Sequence, residues 1–388
     1  MTNTPAPRTQ PLTATATAAA SSVQRLASIA QARQMALQER SALPAGWVAP
    51  WIERSWQRCI NLGLQPGRAV TPDRVTDAER GRTMEANQQL VQTARPVLES
   101  LGRAIANTRH FAILTNACGV VVDVSGPVDH ADQRAERITR IGTDLSEASI
   151  GTTAIGAALT ELQPVWLHRG EHFFDSNTHY TCAGAPLFGA DGQCVGMLDV
   201  TGIETLERPE LKHLVTQSAN KIGNALVLAQ AHCLMVRLNW PGYALGSELD
   251  GMVGLDADGW VTGANAAARQ MVPGLSAGPQ TVHVSELFGV PHQMLFDAVR
   301  RPHVALEIPL WTGLTLLAMP MGPVNAQQPV PSGLHQGNGG HLPLKDLETE
   351  LVHQAVENAR GNVAQAAQHL GISRATVYRK LGLRRPAQ

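Results

Sequence analysis

The residues with the plainest chemistry stand near the carboxyl end. From Ser373 onward come Arg374, Arg379, Lys380, Arg384 and Arg385 with no acidic residue, although the whole 388-residue chain has a formal net charge of −1. A basic stretch on a near-neutral chain suits a local nucleic-acid contact. Arg374 can pair through two hydrogen bonds with guanine O6 and N7. With Thr376 it is expected at base edges; Ser373 shares that first turn, with Tyr378, Arg379 and Lys380 behind. The last two are assigned mainly to phosphate, which positions a helix but carries little sequence information. A second constellation is His168 with His172, and His179 with Cys182. Imidazole and thiolate suit zinc or iron, but the intervening segment is aromatic and loop-like, so helical placement of the first pair is doubtful. No metal site is assigned, and whether an ion sits near these four residues stays open. A thiol enzyme using Cys118 or Cys182 would need a cation or helix N-terminus to lower the thiol pKa. The sequence shows neither clearly, so no catalytic residue is named.

Several elements must position the basic residues. Leu344, Leu347, Leu351, Val352, Ala355, Val356 and Ala359 form a helical apolar stripe. Gly361-Asn362 ends it, with Asn362 placed to cap the next helix. A short helix over 363–370, a turn at Gly371 and a Ser373-capped helix over 374–381 follow, which is the helix-turn-helix pattern. Ala366 and Ala367 let the two helices approach, and Leu370, Ile372, Val377 and Leu381 supply their core. A helical hairpin with a solvated basic face is the bland alternative; agreement of cap, turn, core and charge disfavours it.

Ahead of this unit, residues 321–341 are rich in Gly, Pro, Gln and Asn and read as a flexible tether. Residues 110–122 and 194–200 are apolar runs that read as strands, with an Asp191-Gly192 hairpin turn before the second. Leu211, Val215, Ala219, Ile222, Leu226, Ala229 and Cys233 recur at intervals of 4, 4, 3, 4, 3 and 4. That spacing predicts one long helix over 210–238. A second small unit reads as strand, Asp258-Gly259 turn and strand over 252–261, helix over 264–272, then strands at 305–309 and 314–319. Trp47, Trp51 and Trp56 are expected to pack an N-terminal helix against the first unit.

Composition narrows the function classes. Glycine and proline, 35 and 24 residues, are near ordinary usage, and five scattered cysteines form no CxxC pair. Reduced thiols and a cytoplasmic location are therefore expected. The most apolar stretch, 222–238, is interrupted by Asn224, Gln230, His232 and Arg237, so no membrane span is expected. The amino terminus lacks a basic start and apolar run, and its first 21 residues read as a disordered tail. Lys212, Lys221, Lys345 and Lys380 precede His, Ile, Asp and Leu. None has the Gly-Lys-Ser/Thr setting that a nucleotide-binding P-loop needs.

GNVAQAAQHLGISRATVYRKLGL, at 361–383, resembles the Fis-type helix-turn-helix that ends bacterial enhancer-binding regulators. RSWQRCINLGLQP (54–66), GTTAIGAAL (151–159), EHFFDSNTHYTCAGAPLF (171–188) and GQCVGMLDVTG (192–202) resemble the GAF domain of acetoin-catabolism-type activators. LDGMVGLDADGWVTGANAAARQMV resembles the PAS-like segment that follows it in that family. The resemblance implies an α+β multidomain fold. Its parts are a tail (1–21), a helical region (22–79), a GAF-like ligand-sensing domain (80–240), a PAS-like domain (245–320), the tether, and an all-α Fis-type helix-turn-helix (343–385). The family's AAA+ ATPase and its GAFTGA-like polymerase-contact loop have no counterpart in this sequence, so ATP-driven sigma-54 activation is not carried over.

The resemblance further implies a small-molecule cavity against the GAF sheet. Thr115, Asn116, Thr152, Trp166, His168, His179, Cys182 and Asp199 are its candidate lining; capping or core packing is the competing role for each. The expected partners are double-stranded DNA, a small ketone, diol, alcohol or aromatic metabolite, and a second copy of the chain, with helices 210–238 and 344–359 as dimer seams. No cofactor is expected. A modulator that pairs with full-length family activators is the alternative function.

Overall fold

The computed structural model describes residues 12–68, 75–275, 282–300 and 305–322, together with Val356, Val363, Gln365, Ala367, Thr376 and Val377. The chain divides into two units, Met1–Ala326 and Gln327–Gln388.

The described strands of the first unit build two antiparallel sheets. The first contains β1 (His110–Asn116), β2 (Val121–Ser125), β3 (Val165–His168), β4 (Tyr180–Phe188) and β5 (Cys194–Ile203), in the order β2-β1-β5-β4-β3. Side chains alternate across a strand, so each strand feeds both faces. Phe111, Ile113, Cys182, Met197 and Ile203 face one core. Ala112, Leu114, Ala183, Leu198 and Val200 face the other. Helices α1 (Leu12–Arg33) and α2 (Pro50–Asn61) belong to the first core, while α3 (Asp77–Ala86) is exposed and closed by a Thr76–Glu79 capping box. Helix α4 (Gln88–Ile105) covers the second core. Helices α5 (Gln133–Thr139), α6 (Glu147–Ile150) and α7 (Ala154–Glu161) return to the first, and α8 (Leu211–Leu228) to the second.

The predicted helix over 210–238 is corrected here. Helix α8 stops at Leu228, and β6 (Leu234–Asn239) begins the second sheet. Leu234, Val236 and Leu238 alternate into a new core, and Cys233 N–H donates to Leu255 O at 2.7 Å. Ala229 and Cys233 continue the helical spacing, but they are too small to outweigh that strand alternation. The second sheet adds β7 (Gly251–Leu255), β8 (Val261–Ala264), β9 (Leu306–Pro309) and β10 (Thr315–Met321), in the order β8-β7-β6-β10-β9. Helices α9 (Ala266–Met271), α10 (Val284–Leu287) and α11 (His292–Ala298) accompany it. Mixed helices and antiparallel sheets make the fold α+β, as expected. The second sheet therefore begins at Leu234, within the 80–240 span.

Two further expectations meet the structure at the ends. Residues 12–21, read as tail, are helical in α1. The tether over 321–341 lies outside the described residues except for Met321 and Gly322. In the Gln327–Gln388 unit the six described residues are all helical. Ala367 and Val377 are buried in one cluster with Val356 and Val363 against it. Among the described residues, no helix is long and apolar enough to cross a membrane.

The tryptophan cluster anchors α2. Trp51 and Trp56 are buried, and Trp56 Nε1 donates to Glu171 O at 2.9 Å. Trp56→Ala should leave a large cavity and a lost donor, costing about 3–5 kcal/mol of stability. Urea unfolding of the full chain checks this; an unchanged midpoint would remove α2 from the first core.

Candidate functional site

A cavity of about 80 Å³ opens on the face of the first sheet that α2 and α7 cover. One water needs roughly 10–15 Å³ by the same kind of measure, so the space suits a compact molecule. Its walls include Ile113, Ile138, Leu145, Ile150 and Ile155. Polar groups converge from β4, β5 and the loop after β3. Antiparallel register sets Cys182 of β4 opposite Thr201 of β5, with Asp199 two residues back on the same face. Thr201 Oγ1 lies 3.1 Å from Cys182 Sγ and donates a short hydrogen bond to Asp199 Oδ2. Asp199 Oδ1 is buried without a hydrogen-bond partner among the described residues.

The surrounding loops hold this floor in place. His172 Nδ1 lies 2.9 Å from Arg169 O, and its Nε2 lies 3.4 Å from Cys182 Sγ. Arg33 of α1 clamps that loop, donating to Gly170 O at 2.9 Å, Phe173 O at 3.0 Å and Asp175 Oδ1 at 2.5 Å, and also to His172 O. Gly151 takes φ +66° between α6 and α7, a conformation that favours glycine. Next to it the two threonines part. Thr153 lines the cavity and caps α7, accepting from Gly156 N–H at 3.3 Å. Thr152 Oγ1 instead meets Ser55 Oγ of α2 at 2.7 Å.

Burial sets the protonation of these groups. It pushes the Asp199 carboxyl from 3.8 up to about 7, with the Thr201 hydrogen bond opposing. It pushes His172 down to about 4, helped by the nearby Arg33 charge and opposed by the Arg169 carbonyl. It raises the Cys182 thiol well above its ordinary range, and the Asp199 charge adds to this. A thiol held protonated is a poor nucleophile. The arrangement is equipped to bind a small molecule.

Of the eight candidate ligand residues, the cavity brings together Cys182 and Asp199. Trp166 and His168 occupy the other face of β3: His168 Nδ1 meets Thr181 Oγ1 at 2.7 Å, and Arg25 stacks 4.5 Å from the Trp166 ring. Strand alternation separates them from Val165 and Leu167, which face the cavity-side core. Thr115 and Asn116 sit at the end of β1, where Asn116 Oδ1 accepts from Cys118 N–H and Val120 N–H at 3.0 Å and shapes the turn. His179 is exposed, 3.7 Å from Glu204. Of the four residues weighed for a metal, His172 and Cys182 are therefore together and the other two apart. Among the described residues no group of three or more His, Cys, Asp or Glu could hold an ion. Thr153, Tyr180, Thr201 and Arg134 line the cavity and were not singled out by sequence reasoning. The Asp199-x-Thr201 spacing is visible in the sequence, but the Cys182–Thr201 pairing is not. Of the DNA-facing candidates, Thr376 is helical and half-buried. Ser373, Arg374, Tyr378, Arg379 and Lys380 lie outside the described residues.

Comparison with known proteins places this architecture. Residues 27–223 match the family described as MimR, N-terminal domain. The chain belongs to this family. Residues 343–382 match the bacterial regulatory protein, Fis family, helix-turn-helix. The chain is 28% identical over 254 residues to the acetoin catabolism regulatory protein of Cupriavidus necator, covering 64% of this chain and 37% of that protein. It is 30% identical over 191 residues to MimR of Mycolicibacterium goodii, the propane 2-monooxygenase operon transcriptional activator, covering 48% and 31%. The matches thus span only about a third of these relatives' own length. The crystal structure of the E. coli DhaR(N)–DhaL complex aligns with 71% of this MimR-family chain and all of that chain, at 18% identity and a TM-score of 0.44.

The raised Asp199 carboxyl gives a signed pH test. Its folded value, about 7, exceeds its ordinary 3.8, so the folded state holds the extra proton between them. Stability from this group is full below about pH 4 and falls as pH rises through 7. Asp199→Asn removes that loss. The melting temperature of the variant relative to wild type should be more favourable at about pH 8 than at about pH 5. An offset equal at both pH values would contradict a burial-driven shift.

Proposed function

We propose that this chain is a cytoplasmic, sequence-specific DNA-binding transcriptional regulator that works as a homodimer and senses a small metabolite in the cavity of its first sheet. The observation that carries this reading is the joining of a MimR N-terminal domain and a Fis-family helix-turn-helix in one chain. The names of the matched relatives, regulators of acetoin catabolism and of a propane 2-monooxygenase operon, support it. On this reading the second helix of the motif enters the major groove with Arg374 and Thr376 near base edges, while Arg379 and Lys380 meet phosphate. Two copies on a palindrome gain avidity over one. An effector acts only through its different affinities for two arrangements of the dimer.

Regulation here does not use ATP-driven sigma-54 activation. No lysine lies between Lys221 and Lys345, so no P-loop separates the cavity from the helix-turn-helix. The same observation favours a second reading, a modulator that pairs with longer activators of the family; co-purification with an AAA+ regulator would select it.

The test is a mobility shift of partly palindromic promoter DNA. Arg374→Ala should weaken specific binding by about tenfold to a hundredfold, the worth of one bidentate base contact. Lys380→Ala should weaken binding to all sequences alike and flatten its salt dependence. Specific binding unchanged by Arg374→Ala would overturn the assignment of the recognition helix.

A further inference from the structure

The hydrogen bonds of the cavity floor limit what can occupy it. Arg169 O only accepts, so His172 Nδ1 carries the proton and Nε2 faces Cys182 Sγ as an acceptor. The Cys182 thiol donates to it. Thr201 has a single hydroxyl proton, and it goes to Asp199 Oδ2. Tyr180 gives its phenolic proton to Arg134 O at 3.1 Å. Each of these donors is spent within the protein. Among the fully buried polar side-chain atoms of the lining, the one without a partner is Asp199 Oδ1, on a side chain that is 1% exposed.

We propose that Asp199 Oδ1 is the recognition atom of this cavity, and that its ligand is a compact, neutral molecule presenting a hydroxyl to it. The inference rests on the sensor reading above and adds the chemistry of the effector. An unpaired buried oxygen carries a desolvation penalty that a donated hydrogen bond removes, and the gain is larger for a carboxylate. Once Asp199 is ionised, a carbonyl ligand has no proton to give and would set its own lone pairs against those of Oδ1. Charge of either sign is disfavoured. An anion would meet the Asp199 carboxylate, and a cation, though drawn to that carboxylate, would have to shed its hydration in an apolar cavity that Arg134 and Arg137 also line. The isoleucine and leucine walls require the remainder of the ligand to be hydrocarbon.

The experiment uses the full chain and three probes sharing one ring: cyclopentanol, cyclopentanone and cyclopentylamine. Calorimetry is run at about pH 8.5, above the range in which a carboxyl near 7 stays protonated. The alcohol should bind about tenfold to a hundredfold more tightly than the ketone, and the charged amine most weakly. Asp199→Asn offers an amide that can donate or accept, so the alcohol and ketone should then bind within about threefold of each other. Circular dichroism of the variant confirms that it folds, and the wild-type ratio tests the proposal without any variant. Equal binding of alcohol and ketone to wild type overturns it, as does binding of none of the three, or an unchanged preference in Asp199→Asn. The DNA shift is read separately. An alcohol preference in a chain that shifts no DNA keeps this inference and removes the regulator reading.

Discussion

A carboxyl group with one oxygen satisfied and one bare, set into an apolar sheet face, is the constraint around which the first domain is arranged. Ionised carboxylates are expensive to remove from water, and Asp199 responds with an affinity for its proton raised to about 7. It is tolerated because Thr201 donates to Oδ2 and because the neighbouring groups are neutral: His172 is held unprotonated and Cys182 protonated. An all-apolar floor would be more stable there. A buried polar group left half-satisfied calls for an explanation, and this one lies in the wall of a cavity.

The covering elements are held by charge rather than by packing alone. Arg33 reaches from α1 to three carbonyls and Asp175 in the loop that carries His172. Arg58 of α2 binds Glu147 at 2.6 Å and Glu161 at 2.9 Å, tying α2 to the ends of α6 and α7. The far end of β5 is also fixed: Ala190, in the β4–β5 turn, accepts from Ala264 N–H at 2.8 Å and from Arg269 Nη2 at 2.6 Å. Asn265 Nδ2 bonds Asn224 Oδ1 at 2.8 Å, joining α8 to the start of α9. The strand carrying Asp199 thus runs directly into a hydrogen-bonded joint with the second sheet.

Local patterns made much of the fold legible in the sequence. Alternation and turn residues marked β1, β5, β7 and β8, and the spacing from Leu211 to Leu226 marked α8, because these signals depend only on near neighbours. The same spacing misled beyond Leu228. Small residues at helical intervals cannot compete with a strand whose partners, β7 and β10, lie 12 or more residues away. The site was legible only in part: the family resemblance offered Asp199 and Cys182 as cavity lining, but it offered Trp166 and His168, on the opposite face of the sheet, equally.

By itself, then, the sequence determined the alternating α+β architecture, the basic helix-turn-helix near its carboxyl end, and the lack of a P-loop lysine between them. Those depend on residue type and on contacts a few positions apart. Only the tertiary structure decided which threonine of the Thr152-Thr153 pair faces the cavity, which side of β3 is occupied, and that Cys182 lies opposite Thr201. These follow from strand register and from a positive-φ glycine turn, where a shift of one residue sends every side chain to the other side.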